Sequence, residues 1–431
     1  MRIYDIWEQE GFLKHKGLPV MNYPGPENKW INNFASGSGT MHDSQGNYYY
    51  VSHPPLAYYL PYFSLKALGL KVSVFWLQIW HCFIHLFSAL LFYLLIREIS
   101  SARAALLSAV FYMMHGVSLW FQSNVYMSDM LVQLFFISSI YCYVKLQQGF
   151  SAFGLFQLGL SIALMVYCSW LGYFTAFVLL LHSFLKKKQP YLIATALISA
   201  ALVSTALFLY QYAQINGVSA LISEWTQRGG ERAGFQLQHF ISIFKNYFLH
   251  YSPLFIVIVA LYKSINWKEQ KSILFLFFSP IILLHLFLSE YSVHDFTVLY
   301  ALFPLAYLLA LAICDLSSKV GRNALTIMLL LVFIAQYYIF NLPGKKNYKG
   351  DKYAYFQEKG KAIAAEKEKG YVLFLLQDKI EPQTSYYAQC NVKSVNSQQE
   401  AGEFLEQRNG MKGKIMYFDT NDKLQTKIIN N

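Results

Sequence analysis

The stretch Tyr48-Tyr-Tyr-Val-Ser-His-Pro-Pro-Leu-Ala-Tyr-Tyr-Leu-Pro-Tyr62 closes a polar segment and opens onto a long series of apolar runs. Within His53-Pro54-Pro55-Leu56 the first proline holds His53 extended. The second suits the first turn of a helix, where its missing N–H costs nothing. Leu56, Tyr59, Leu60 and Phe63 then fall at helical spacing on one face, the pattern of a helix lying at a membrane surface. The stretch therefore delivers an imidazole to the membrane edge.

Before it, residues 1–72 hold no run near the ~20 apolar residues that cross a bilayer. After it, apolar segments run at about 73–96, 104–122, 128–145, 153–168, 170–185, 191–213, 250–263, 273–289, 297–316 and 324–341. The pair between Gly154 and Leu185 also reads as one broken helix, which would invert all later sidedness. Of 431 residues, 55% are hydrophobic, 18% aromatic and 14% charged. Soluble domains carry roughly 25% charged residues, so this is a multi-spanning membrane chain.

The net charge of +11 lies mostly in short loops between apolar runs and records topology, which argues against nucleic acid as a partner. Arg97 and Arg103, Lys145, Lys186 to Lys188, Lys263, Lys268 and Lys271, and Lys319 and Arg322 occupy alternate connections. The intervening ones, around Ser123 to Met127, Val166 to Ser169 and Glu290 to Phe296, hold neither Lys nor Arg. The first set is expected in the cytoplasm and the second outside. About ten spans fit this alternation, and the N-terminal loop, the connection 214–249 and the tail then share the external side.

The expected fold class is an all-α polytopic membrane protein with an external first loop (1–72), a transmembrane domain (73–341) and a small C-terminal α/β unit (342–431). In the tail, helical pattern over Tyr355 to Lys367 and Gln398 to Glu406 alternates with strand-like Tyr371 to Leu376 and Lys414 to Phe418. No Gly-rich turn follows either strand, so no nucleotide fingerprint is present. The five cysteines show neither a disulfide framework nor zinc spacing. The N-terminus lacks the order of a signal peptide, so the first span is expected to direct insertion.

On this topology the chemistry-bearing residues gather on one face: His53, Asp129, Arg228, Arg232, Glu290, His294 and Asp295. Asp129 lies in Ser123-Asn-Val-Tyr-Met-Ser-Asp-Met-Leu131 where the chain enters the membrane. It reads either as a helix-capping acid or as a functional carboxylate at a costly depth. Asp295 is likewise a cap or a site residue, and His294 an interfacial side chain or a site residue. Arg228-Gly-Gly-Glu-Arg232 is a solvated loop or a phosphate clamp. His81 and His85 lie one helical turn apart, but no third ligand is visible and no metal is assigned.

Together these residues resemble the GT-C membrane glycosyltransferases, in the branch of protein O-mannosyltransferases, lipid A aminoarabinose transferases and RgtA-B-C-D-like proteins. The resemblance covers 1–340 and rests on the first-loop segment, His53-Pro-Pro-Leu56, Tyr126-Met-Ser-Asp-Met-Leu131 and His294-Asp-Phe296 with a following tyrosine and proline. It implies transfer of a sugar from a polyprenyl-phosphate carrier to a lipid, protein or glycan acceptor on the external face, with inversion and no required cofactor. A divalent cation is compatible with the chemistry but not indicated. Asp129 matches the family's second acid, while His53, Arg228, Arg232, His294 and Asp295 are candidates for binding the substrates. The family's first-loop acid would fall immediately before Met1. The expectation is therefore that a span and a base precede this sequence, with Asp5 or Glu8 as the fallback base.

Alternative readings are a polysaccharide polymerase and a transporter or flippase. A transporter binds near the bilayer midplane, often between repeats, whereas here the charges lie at one rim. The expected location is a bacterial cytoplasmic membrane with the site facing outward.

Overall fold

The computed structural model describes residues 1–33, 39–122, 127–187, 189–232, 236–316, 318–340, 350–408, 410–419 and 423–429. Two compact units emerge: Met1–Ser52, Leu209–Arg228 and Pro343–Asn431 form the first, and His53–Phe208 and Gly229–Leu342 the second. The first unit thus joins segments of the N-terminal loop, the long connection and the tail, the three that the loop charges assign to a common side.

The first unit opens with α1 (Arg2–Glu10), which buries Tyr4, Ile6 and Trp7, and a hairpin of β1 (Thr40–His42) and β2 (Tyr48–Tyr50). The second unit holds α2 (Leu56–Ala67), α3 (Val74–Ile99), α4 (Ala102–Met114), α5 (Gly116–Gln122), α6 (Ser128–Gln148), α7 (Ala152–Val166) and α8 (Leu171–Lys186). It continues with α9 (Pro190–Arg232), α10 (Leu237–Ala260), α11 (Trp267–Phe287), α12 (Ser289–Ser292), α13 (Leu302–Cys314) and α14 (Lys319–Phe340). From Leu209 to Arg228 α9 belongs to the first unit, and the helix breaks at Asn216 and Gly217.

Among the described residues seven helices are long and apolar enough to cross a bilayer, or eight if α4 and α5, bent by 52°, make one broken span. The protein is a multi-pass integral membrane protein. Serine hydroxyls start several helices: Ser73, Ser101 and Ser151 accept the N–H groups of Trp76, Ala104 and Gly154, which the first helical turn otherwise leaves unpaired. Between Gly154 and Leu185 stand two helices, α7 and α8. Gly172 fits against the end of α7 because a Cβ there would lie 2.6 Å from the Val166 nitrogen. In the span Asp295–Cys314, 89% of the most apolar window is buried, so this segment, apolar all round, forms the centre of the bundle.

Helix α2 departs from the expected face. Leu56, Ala57, Pro61, Tyr62 and Leu65 are its buried residues, while Phe63 is 46% exposed. The stripe read from spacing is thus partly the outward one, as a helix with apolar residues on both sides allows. Pro55 is the residue just ahead of the helix, with the Leu56 N–H donating to the Tyr167 carbonyl at 3.2 Å.

The tail adds α15 (Gly350–Ala365), β3 (Tyr371–Leu376), α16 (Pro382–Ala388), β4 (Val392–Val395), α17 (Gln398–Glu406), β5 (Lys412–Phe418) and β6 (Leu424–Ile429). The sheet order is β4-β3-β5-β6, parallel except for β6. The sheet does not stand alone: Ile31 of the first loop completes the core of Val372, Phe374, Val395, Leu405 and Ile415. Three asparagines stitch loop to tail. Asn33 pairs with Val392 through both its amide atoms, Asn391 Oδ1 accepts the Tyr23 N–H at 2.8 Å, and Asn28 Oδ1 accepts the Asn391 N–H at 2.7 Å.

Trp30 takes a left-handed backbone, φ 64°, which costs an L residue about 1–2 kcal/mol. Its N–H donates to the Gly46 carbonyl at 2.7 Å, and its ring lies so close to Gly46 that a Cβ there would stand 2.4 Å from the indole.

Candidate active site

Asp129 stands in the first turn of α6 and is only 4% exposed. Its carboxylate does not cap the helix: the residue ahead of α6 is Met127, and no side-chain cap bond forms there. Instead Oδ1 accepts the hydroxyls of Tyr300 and, at 3.3 Å, Tyr291, while Oδ2 accepts the Ser128 hydroxyl at 3.3 Å. His81 fixes the start of the same helix by donating from Nε2 to the Met127 carbonyl at 2.9 Å. The turn between α7 and α8 borders this group, since Ser169 shares a hydrogen bond with Tyr300 and Cys168 lies within electrostatic reach of Asp129.

Both tyrosines come from the connection after α11, whose irregular backbone must find partners within the membrane unit. Helix α10 supplies them in a ladder: His239 bonds Ser289 at 3.0 Å, Asn246 donates to the Val293 carbonyl at 2.9 Å, and Tyr251 donates to the Val298 carbonyl at 2.8 Å. Gln133 completes it, donating to the Leu299 carbonyl at 2.8 Å while its Oε1 accepts the Tyr112 hydroxyl at 2.8 Å. Asp129 and Gln133 are four residues apart and so share a face of α6. One face of one helix therefore grips both the Tyr300 hydroxyl and the backbone beside it.

His53 reaches the same group through Tyr291, their ring centres lying 5.6 Å apart. His294 is exposed and stacks on Phe296 at 5.3 Å, with Tyr291 6.4 Å away. His53, Asp129 and His294 thus converge on Tyr291. Asp295 begins the 3-10 turn Asp295–Ala301 without making a side-chain cap, and it lies within electrostatic reach of His250 rather than on the carboxylate cluster.

Of the remaining candidates, Asp5, Glu8 and Arg228 are in the first unit and Arg232 is in the second. Asp5 is half-buried within electrostatic reach of the Met1 amino group and Tyr23, and Glu8 is exposed. Arg228 lies at the end of a ridge of α9 in which Glu224 accepts the Gly39 N–H and Trp225 donates to the Val51 carbonyl at 3.2 Å. Gly39 has φ 80°, and a Cβ there would meet Ser52 Oγ at 1.9 Å and Arg228 Nε at 3.7 Å. Arg232 ends α9, and its side chain lies outside the described residues, as do Ser123 to Tyr126 ahead of Asp129.

No protein-family model and no curated protein matches the chain. Among solved structures, ArnT from Cupriavidus metallidurans bound to undecaprenyl phosphate matches with a TM-score of 0.59 at 12% identity, over 93% of this chain and 90% of ArnT. The apo form of ArnT matches with a TM-score of 0.56 at 12% identity, over 93% and 89%. The fold is the GT-C fold.

Within this GT-C fold, the sequence reading reached His53, Asp129 and His294 but missed Tyr291, Gln133, Tyr112 and the 166–170 turn. Each is a residue type that abounds in the chain, with 33 tyrosines present, so none stands out by kind. Position carried the only available signal, because Gln133 is a polar residue one turn below an acid inside an apolar run, and such residues are expensive unless paired.

Proposed function

We propose that the chain transfers a glycosyl group from a polyprenyl-phosphate-linked donor to an acceptor at the outer face of a bacterial cytoplasmic membrane. The observation that carries this reading is the buried Asp129 carboxylate clasped by Tyr291 and Tyr300 at the start of α6, beside His53, in a GT-C fold. The likeness to ArnT, a protein solved with undecaprenyl phosphate, supports a lipid carrier as donor.

In the proposed reaction the acceptor hydroxyl attacks the anomeric carbon as the bond to phosphate breaks, which inverts that centre. The hydroxyl proton passes to a carboxylate, and polyprenyl phosphate leaves with the electron pair. Asp129 is the proposed carboxylate, with its Oδ1 fixed by two phenols and its Oδ2 more weakly engaged. His53 and His294 supply N–H groups on the same cluster for charge developing on phosphate. Arg228 and Arg232 are proposed as further phosphate partners on charge alone.

The test is release of sugar from a labelled polyprenyl-phosphate donor by the full chain in lipid vesicles. Release that disappears in Asp129→Asn supports transfer. Solute flux across those vesicles that is indifferent to Asp129→Asn would remove the catalytic assignment and favour transport. Retained transfer in Asp129→Asn would move the test to Asp5 and then Glu8.

A further inference from the structure

The first unit contains a cleft of about 320 Å³ between the loop after Asn28 and the ends of β3 and β4, which the transfer reaction above does not use. Trp30 and Tyr48 line it together with Asn32, Lys379, Lys393 and Ser394. Trp30 is 40% exposed although it is held on a strained backbone. One side of its indole is committed to the protein, against Gly46 and against His42 at 5.1 Å. A large aromatic fixed this way and left open has the form of a platform rather than of a core residue.

The rest of the lining is polar and cationic. Lys393 Nζ is steadied 4.8 Å over the Phe404 ring, and Lys379 is exposed just past the end of β3. Asn33 is already spent in pairing with Val392, so it fixes the cleft wall. Flat aromatic faces accept the C–H face of a pyranose, amide and hydroxyl groups accept its hydroxyls, and two ammonium groups call for an anion. The volume is at the small end of the roughly 300–1,000 Å³ of small-molecule sites, which fits one or two sugar rings.

We propose that this cleft binds an acidic saccharide, with Trp30 and Tyr48 as its stacking walls and Lys379 and Lys393 as its anion partners. The inference does not depend on the transfer reaction, since it rests on the first unit alone.

The experiment is titration of the full chain in nanodiscs, free of sugar-headed detergent, followed by saturation-transfer NMR. The probes are glucose 6-phosphate, a glucuronic acid–N-acetylglucosamine disaccharide, cellobiose and inorganic phosphate. At least one acidic saccharide binds, and cellobiose binds about tenfold more weakly. The comparison of sugar phosphate with uronic acid identifies the source of the charge. Lys379→Ala with Lys393→Ala, two changes at the cleft rim, abolishes the preference for acid. Trp30→Ala weakens every saccharide about tenfold, while Trp30→Phe, which keeps a ring, retains most of the affinity. If Trp30→Ala fails to fold, the lysine pair decides. Absence of saturation by any saccharide overturns the proposal. So does inorganic phosphate matching the sugar phosphate, saccharide affinity in a folded Trp30→Ala equal to that of wild type, or an unchanged preference for acid in the lysine variant.

Discussion

Replacing Asn391 by alanine should loosen the first loop from the tail, 360 residues away in sequence from Ile31. Asn391 is 2% exposed, so water does not replace what its amide gives up. Its Oδ1 is the acceptor of the Tyr23 N–H at 2.8 Å, and leaving that buried donor unpaired costs about 1–3 kcal/mol. The longer 3.3 Å bond from Nδ2 to the Ile31 carbonyl adds about 0.5–1.5 kcal/mol at most, since Asn22 also serves that carbonyl at 2.9 Å. The sum is about 1.5–4.5 kcal/mol, a large fraction of the roughly 5–15 kcal/mol that holds a domain. Hydrogen exchange read by mass spectrometry on peptides over Tyr23 to Ile31 should accelerate about 10- to 2,000-fold if local opening carries the whole loss. The backbone bond from Asn391 N–H to Asn28 survives in this variant, so β4 itself should remain protected. Exchange within about threefold of wild type in the loop peptides would refute the account of the asparagines as the stitch.

Tyr300→Phe removes a hydroxyl bonded to the Asp129 carboxylate, an interaction worth about 1.5–3 kcal/mol, so sugar release should fall about ten- to a hundredfold if that geometry matters in the transition state. Tyr291→Phe, at a longer 3.3 Å, should cost less in the same assay. Gln133→Leu removes the 2.8 Å acceptor of the Tyr112 hydroxyl, leaving it the His85 Nδ1 contact at 3.2 Å, and frees the backbone beside Tyr300; about 1–3 kcal/mol of stability should go, read by thermal unfolding, together with part of the release activity. In the first unit, burial holds the His15 imidazole below its ordinary value near 6.5, against the opposing hydrogen bond that it donates to Glu10. The unfolded chain therefore takes up that proton first as pH falls, so stability present above about 6.5 declines below it, and His15→Gln should flatten this part of the unfolding-versus-pH curve.

Legibility followed the physics of each region. The apolar segments announced their helices because the bilayer demands a long uninterrupted run, and Tyr371 to Leu376 and Gln398 to Glu406 have the same bounds in the structure as in the pattern. Strands β4 and β6 escaped notice: Val392–Val395 has only four residues, and Leu424–Ile429 is an edge strand whose side chains are mostly exposed, so neither carries an apolar signature. Asp129 was visible through its depth, but the alternative of a helix cap could not be dismissed from sequence, because capping depends on where one backbone turn begins. The partners that hold the carboxylate in place of a cap, Tyr291 and Tyr300, lie 162 and 171 residues away and are brought in by the ladder on α10. Such long-range choices leave no local periodicity.

The union of first loop and tail also sets a timetable for synthesis. Asn33 cannot reach Val392 until a further 359 residues have been translated, which takes roughly 20–70 s at 5–20 residues per second. Throughout that interval Ile31 lacks the sheet that covers it, and the loop behind it waits as an unfinished surface while the helices are inserted. Shielding of that surface by a chaperone, or its loss to a protease, would therefore be decided before the last strand leaves the ribosome.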